Sequence, residues 1–139
     1  MIAEDKSTSV ERVLSEWKKG GVRNVRFELP DMHGTSRTKI VPIEHAARYS
    51  VDGLNMYGGV AVLDSRSDVV PGTLYNEEVA YADQLLHPDP STAAIVPWLE
   101  ATGRFICDAR WPTANRWPPL RDTFSRACSS GAASSDTSR

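Results

Sequence analysis

Alternating apolar and polar residues predict a β-hairpin near the start of the chain. Val25, Phe27 and Leu29 alternate with polar residues, which is the spacing of a strand with one buried face. Residues 30–34 contain proline, aspartate and glycine and predict a turn, and β-branched residues then favour a returning strand. The predicted hairpin covers residues 22–41 and collects polar side chains at its tip.

A helical pattern precedes the hairpin. Apolar residues recur at positions 10, 13, 14 and 17, which places them on one face of a helix. Thr8 and Glu11 fit a capping box at its start, and the residues up to position 8 are expected to be a mobile lead-in. Gly20–Gly21 is expected to end the helix. Residues 1–21 are therefore assigned to a helical lead-in.

Shorter elements follow the hairpin. A short helix is predicted after Pro42, then an irregular stretch over 51–57 and a strand over 58–63. Residues 65–78 show no clear period and predict a long surface loop, which in a small domain is more often functional or mobile than structural. The remaining predicted elements are strands at 84–87, 92–96 and 104–109 and a helix at 120–127.

This order of elements indicates an α+β domain. Strands are in the majority with helices to one side, so we expect one sheet covered on one face. The short spacing of the strands between residues 83 and 109 favours antiparallel or mixed pairing. Residues 129–139 contain nothing large and apolar and are expected to be disordered. The folded domain is thus predicted to span residues 22–128.

Composition excludes several classes of protein. The 139 residues, 40% of them hydrophobic, suit one domain with a modest core. A net charge of -2 with scattered arginines predicts neither a nucleic-acid nor a membrane partner. No secretory signal or membrane span is visible, so we expect a cytoplasmic protein. Cys107 and Cys128 suggest neither a metal site nor a redox pair, and Cys107 is predicted to be buried and inert.

The hairpin tip has two interpretations. Asp31 and His33 could form an acid–base or ligand pair. Alternatively, Asp31 caps backbone N–H groups of the turn and Gly34 takes a positive φ, which is favoured because no nucleophile or third orienting group lies nearby in the sequence. Arg37 and Lys39 share a face of the returning strand and could meet a phosphate or a partner's carboxylate, but two solvated cations on an edge strand are the commoner arrangement and the expected one.

The residues alone predict no metal or nucleotide site. The histidines are at positions 33, 45 and 87, at no ligand-like spacing. The chain lacks the glycine-rich phosphate loops, the nucleophile elbow and the H-E-x-x-H motif. We therefore expect this chain to bind no cofactor by itself.

Three blocks of sequence resemble the N-terminal β-grasp domain of the glutamine synthetase family. They read VRFELPDMHGTSRTKIVP, ADQLLHPDPSTAAIVPW and RFICDARW. Each block alone is weak, but their order and spacing over residues 22–127 make the resemblance quite specific. The matching positions are Asp31, Gly34, Arg37, Lys39, Pro42, Asp83, Pro88, Asp89, Ser91, Thr92, Pro97, Trp98, Cys107 and Asp108.

The resemblance implies a function and a set of partners. Family members activate glutamate with ATP as γ-glutamyl phosphate, which ammonia attacks, while Mg or Mn ions clamp the phosphates. Their β-grasp domain leans on the neighbouring subunit's catalytic domain, which implies a ring-shaped homo-oligomer. Asp83, Asp31, Arg37 and Lys39 are the implied candidates for facing that site, and a turn or cap role is the alternative for Asp83. The family's metal-binding glutamates and nucleotide loops have no match here.

The sequence departs from the family pattern in ways that change the expected activity. Gly58 stands where typical members carry an aspartate that helps to bind ammonium and take its proton. Its loss leaves another acceptor amine, or no catalysis, as the alternatives, and the segment is closer to lengsin-like and γ-glutamyl-amine ligase-like members. The family's P-R-x-x-L helix opening appears here as residues 120–124, and the resemblance ends after Cys128, as after a frameshift or premature stop.

The expectation is therefore the N-terminal domain of a glutamine synthetase-like ligase, truncated before its catalytic domain and inactive alone. Two alternatives stay open. One is a non-catalytic, lengsin-like structural or interaction protein, which Gly58 favours. The other is a stand-alone β-grasp module that binds partner strands at a sheet edge.

Overall fold

The computed structural model describes residues 2–112, and for residues 2–7 it describes the backbone alone. Over this range the chain forms two α-helices and a curled, six-stranded mixed sheet, so the predicted α+β class is confirmed. The helices are α1 (Ile2–Lys19) and α2 (Ile43–Asp52). The strands are β1 (Asn24–Pro30), β2 (Ser36–Pro42), β3 (Leu54–Tyr57), β4 (Asp83–Pro88), β5 (Ala94–Ile95) and β6 (Thr102–Arg110). Short 3₁₀ helices lie at Gly58–Val62, Glu77–Val79 and Pro90–Thr92.

The first hairpin forms one end of the sheet. The strand order is β2-β1-β6-β4-β3, and β5 pairs with β6. Strands β1 and β6 are parallel, and the other neighbouring pairs are antiparallel. The register places Phe27 of β1 opposite Lys39 of β2 on one side and Phe105 of β6 on the other. A hairpin, a helix and a later strand parallel to β1 are consistent with the β-grasp-like fold that the sequence predicts.

The core lies between the helices and one face of the sheet. Phe27 and Phe105 are fully buried, with ring centroids 6.4 Å apart. The Trp17 ring of α1 lies 4.8 Å from Phe105, above Gly103, where a Cβ would come within 2.6 Å of the indole. Gly103 therefore lets α1 approach the sheet closely. Cys107 is buried, as predicted, and burial raises the pKa of its thiol to about 12.

Helix α1 is longer than the sequence predicts. It begins at Ile2, so Thr8 lies inside the helix and the mobile lead-in is wrong for residues 2–8. Alanine, glutamate and lysine in this stretch are good helix formers, which explains the continuation. The helix ends as predicted, because Gly21 has φ 84° and the Val22 N–H donates to the Trp17 carbonyl at 3.0 Å. Neither described helix has the length and hydropathy needed to cross a membrane.

The segment after α2 differs from the prediction. The strand expected over 58–63 is the 3₁₀ helix Gly58–Val62, and the stretch expected to be irregular contains strand β3. Leu54 and Met56 of β3 are buried and alternate with outward residues, a pattern too short to detect without its partner strand β4. The helix predicted at 120–127 and the tail at 129–139 lie outside the described residues.

Candidate functional site

Asp31 organises the turn between β1 and β2. Its side chain is fully buried, and Oδ1 accepts hydrogen bonds from the N–H groups of His33 and Thr35, both at 2.9 Å. Gly34 has φ 79° and donates its N–H to the Asp31 carbonyl. The His33 ring does not contact the carboxylate, since its Nε2 lies 3.1 Å from the Leu63 carbonyl oxygen. These contacts are those of the turn interpretation rather than of an acid–base pair.

Arg37 holds the other oxygen of the same carboxylate. Its Nε and Nη2 lie 2.9 and 2.7 Å from Asp31 Oδ2, and its Nη1 donates to Ser67 Oγ at 2.9 Å. Burial raises the pKa of Asp31, but the hydrogen bonds from Thr35, Arg37 and His33 outweigh burial and hold that pKa below its ordinary value of 3.8. Asp31 is therefore ionised at neutral pH, and its charge is balanced by Arg37. The expectation of a solvated Arg37 is wrong.

The curl of the sheet brings its two end strands together. Strands β2 and β3 stand at opposite ends of the strand order, yet Lys39 Nζ lies 2.5 Å from the Asn55 carbonyl oxygen. Asn55 Nδ2 donates to Asp83 Oδ2 at 3.4 Å. Lys39 also shares a face of β2 with Arg37. We call the resulting set of residues the polar strip; it consists of Asp31, Arg37, Lys39, Asn55 and Asp83.

The polar strip contains all four candidate side chains that the sequence singled out. Asp31 and Arg37 form its inner, paired half, and Lys39 and Asp83 form its outer, exposed half. Asn55, which joins the outer two, was missed. Its role depends on the pairing of β3 with β4, which no local pattern around position 55 reveals.

Gly58 lies one residue past β3, beside the polar strip. Its N–H donates to the Ala82 carbonyl at 3.0 Å. A Cβ at this position would lie 2.7 Å from Trp111 Cη2, 3.0 Å from the Ala82 oxygen and 3.2 Å from Gln84 Cγ. Position 58, where the resemblance to the family implies an aspartate, therefore has no room for a side chain unless the indole moves.

Buried polar atoms close to Gly58 lack partners. Within residues 2–112, the Tyr75 hydroxyl, Gln84 Oε1 and Trp111 Nε1 are buried and form no hydrogen bond. The Tyr75 and Trp111 rings stack with centroids 6.1 Å apart. Burial raises the pKa of Tyr75, so its hydroxyl keeps its proton at neutral pH. Unpaired buried polar atoms are unfavourable, so these three atoms reduce the stability of this region.

Asn76 anchors the long loop between β3 and β4. It is 1% exposed, and its Nδ2 donates to the Val70 carbonyl at 2.9 Å and to Thr73 Oγ1 at 2.8 Å. Its Oδ1 accepts from the Tyr57 hydroxyl, and its carbonyl accepts from the Tyr81 N–H at 2.9 Å. No local pattern in the sequence singles out this residue, because an asparagine in a polar loop looks the same whether or not it is buried.

The described residues offer no evident metal centre. Within residues 2–112, no group of three histidine, cysteine, aspartate or glutamate side chains is placed to hold an ion. Burial and the nearby charge of Arg110 lower the pKa of His87, which is therefore neutral at pH 7. What the site offers chemically is hydrogen bonding and charge.

Sequence comparison identifies relatives that are much longer than this chain. Lengsin of Canis lupus familiaris is 32% identical over 107 residues, which are 73% of this chain and 18% of lengsin. The glutamate–methylamine ligase of Methyloversatilis universalis is 31% identical over 91 residues, which are 66% of this chain and 18% of the ligase. The chain thus spans less than a fifth of either relative. It matches no family model.

Solved structures share the fold. "Apo GmaS without ligand" superimposes with a TM-score of 0.54 at 26% identity, covering 72% of this chain and 21% of that one. "Crystal structure of novel glutamine synthase homolog" gives a TM-score of 0.57 at 20% identity over 78% of this chain and 27% of that one, which shows the fold alone. Fold and relatives together define a domain from a family of ligases and ligase-like proteins. The chain belongs to the glutamine synthetase family and matches its N-terminal domain, as the sequence predicts.

Proposed function

We propose that this chain is the N-terminal domain of a glutamine synthetase-like, ATP-dependent carboxylate–amine ligase. In this proposal it helps to form an active site at a subunit interface of a cytoplasmic, ring-shaped homo-oligomer. The observation that carries the proposal is the polar strip, which gathers the four candidate residues at one margin of the domain, beside Gly58. The similarity to a glutamate–methylamine ligase supports an amine as the acceptor.

The exposed half of the polar strip is the part suited to a partner's site. Asp83 is exposed and receives one long hydrogen bond, 3.4 Å from Asn55, so its carboxylate can accept further bonds from a cation or amine. Asp31 and Arg37 neutralise one another and hold the hairpin in shape. In this proposal the neighbouring catalytic domain binds ATP and the Mg or Mn ions and activates glutamate. This chain alone is inactive.

Gly58 supports an acceptor other than ammonium. A cationic ammonium ion is held best by an anion, and position 58 offers no carboxylate and no space for one. The aromatic ring of Trp111 lies there instead, which suits the alkyl group of a larger amine. The acceptor proposed for the complete ligase is therefore a primary alkylamine.

Reconstitution tests this proposal. The purified chain is mixed with the Methyloversatilis universalis ligase from which the matching 91-residue segment has been removed, and ATP-dependent formation of γ-glutamyl product is measured with methylamine and with ammonia. We expect a complex on size-exclusion chromatography and restored turnover, faster with methylamine. The variant Asp83→Asn should bind but turn over more slowly, whereas Asp52→Asn, an exposed change on α2, should behave as the unchanged chain. Absence of both complex and turnover would refute the proposal.

A second candidate is a non-catalytic, lengsin-like structural protein. The similarity to lengsin of Canis lupus familiaris and of Rattus norvegicus, at 32% and 30% identity, favours it, as does the blocked position 58. In the same experiment this candidate predicts a stable complex without turnover for either amine. Turnover would exclude it.

A further inference from the structure

We propose that residues 69–83, here called the acidic loop, form a preformed docking surface for a protein partner that presents arginine side chains. The loop contains three carboxylates and no lysine, arginine or histidine. All three carboxylates, at Glu77, Glu78 and Asp83, belong to exposed residues. The proposal concerns the chemistry of the partner and stands whether or not that partner is the catalytic domain of the proposed ligase.

The acidic loop also exposes apolar side chains close to its charges. The residues concerned, with their exposed fractions, are Val69 (45%), Val70 (37%), Leu74 (43%) and Tyr81 (50%). The backbones of Val70 and Tyr81 both hydrogen-bond to Asn76, so they lie on either side of one buried residue. An apolar patch rimmed by charge is the usual composition of a protein interface, with tyrosine among its favoured residues.

The acidic loop is held in one shape before any partner arrives. Leu74, Ala80 and Tyr81 have φ of 65°, 51° and 55°, a region that residues other than glycine rarely adopt. Asn76 bonds to Val70, Thr73 and Tyr81 within the loop and accepts a hydrogen bond from Tyr57 of β3, which ties the loop to the sheet. A surface that is already ordered loses little conformational entropy on binding, which favours association.

Polar atoms that lack a partner lie in and beside the same loop. Among the described residues, the buried hydroxyl of Tyr75 has no hydrogen-bond partner, and neither has Nε1 of Trp111, which stacks on it. Because both atoms are buried, they lie beneath the docking surface rather than on it. The exposed apolar side chains of the loop are what favour a protein over a simple ion.

Charge complementarity decides which side chains the partner brings. The Tyr57 and Tyr81 rings lie 6.1 Å apart, and the Tyr81 hydroxyl is 3.3 Å from Glu77 Oε1, so aromatic faces and carboxylates stand together. A guanidinium group both stacks on tyrosine and forms paired hydrogen bonds with carboxylates, whereas an ammonium group offers a point charge alone. Lys39, which is joined to Asp83 through Asn55, is a positively charged residue next to the acidic loop.

The test uses the full 139-residue chain, labelled with ¹⁵N and titrated at low ionic strength. The probes are a peptide of alternating arginine and leucine, a lysine–leucine peptide of the same length, and guanidinium ion at the same charge concentration. We expect amide shifts confined to residues 69–83 and their neighbours, with the arginine peptide binding about threefold more tightly than the lysine peptide. Guanidinium ion should cause little shift.

Two sets of variants distinguish specific binding at the acidic loop from general attraction between a cationic peptide and an acidic surface. The triple variant Glu77→Gln, Glu78→Gln, Asp83→Asn should weaken arginine-peptide binding about tenfold, and the matched control Glu11→Gln, Glu16→Gln, Glu100→Gln should leave it unchanged. Tyr81→Ala should weaken it about threefold. Equal losses in both triple variants, or shifts spread over the whole surface, would overturn the proposal. Equal shifts with guanidinium ion would overturn it in favour of a small-cation site.

Discussion

The hairpin tip and the region around Gly58 differ in whether their buried polar groups have hydrogen-bond partners among the described residues. At the tip, both oxygens of the buried Asp31 carboxylate are occupied, one by two backbone N–H groups and the other by Arg37. Near Gly58, polar atoms of Tyr75, Gln84 and Trp111 have no partner among the described residues. The buried carboxylate at the tip is thus fully hydrogen-bonded, whereas the second region keeps buried polar atoms that are unpaired among the described residues.

Each region nevertheless depends on one short polar side chain that bonds to backbone. Asp31 fixes a five-residue turn next to a regular strand pair, and Asn76 fixes a long loop with little regular structure. Polarity alone therefore does not mark a functional site. What distinguishes the two regions is whether the polar groups have hydrogen-bond partners among residues 2–112.

The largest expected effect comes from removing the anchor of the loop. Asn76→Ala should lower the free energy of unfolding by about 3 kcal/mol, because it leaves the Val70 carbonyl and the Tyr57 hydroxyl without their partner in a buried site. Urea denaturation followed by circular dichroism measures this. The matched control Asn55→Ala changes an exposed asparagine and should cost about 0.5 kcal/mol. Similar losses for both variants would show that Asn76 is not an anchor.

A smaller loss of stability is expected from adding a side chain at Gly58. Gly58→Ala should cost about 2 kcal/mol, because the new methyl group would meet the Trp111 ring at 2.7 Å. The control Gly20→Ala places its methyl group 3.5 Å from the nearest carbonyl oxygens and should be neutral or stabilising by about 0.5 kcal/mol. The same denaturation experiment measures both. A neutral Gly58→Ala would mean that the indole moves freely and that an acidic side chain could be accommodated.

The hairpin tip should make the domain sensitive to acid. The folded-state pKa of Asp31 is lowered, so its stabilising contribution is present above the ordinary value of 3.8 and is lost as the pH falls through the folded-state pKa. Asp31→Asn should therefore reduce stability at neutral pH, and its difference from the unchanged chain should shrink below about pH 4. Arg37→Met removes one of the groups that lower this pKa and should move the acid-induced loss to higher pH. An identical pH dependence in all three proteins would contradict the assignment.

The smallest effect is expected where the two end strands meet. Lys39→Met removes the bond from Nζ to the Asn55 carbonyl and should cost about 0.5 kcal/mol, since an exposed contact is largely replaced by water. Lys39→Arg keeps a donor and should cost less. A loss as large as that of Asn76→Ala would mean that closure of the curled sheet, rather than the loop anchor, limits stability.

Local patterns were sufficient for much of the fold. The hairpin, the short helix after Pro42 and the strands near 84–87 and 104–109 were predicted because alternation, turn residues and glycine act within a few residues of one another. Strand β3 was missed because four residues carry too short a pattern and depend on pairing with β4. The 3₁₀ helix at Gly58–Val62 was mistaken for a strand because its apolar residues are those of a buried strand as well.

By itself, the sequence determined the α+β class, the family and the four candidate residues, since these depend on residue types at fixed spacing. Only the tertiary structure decided how the candidates differ. Asp31 is buried and paired with the half-buried Arg37, while Asp83 is exposed and linked through Asn55 to Lys39. It also decided that Gly58 has no room for a side chain. The physical reason is that burial and hydrogen-bond partners arise from strands and loops far apart in the chain, which a curled sheet brings together.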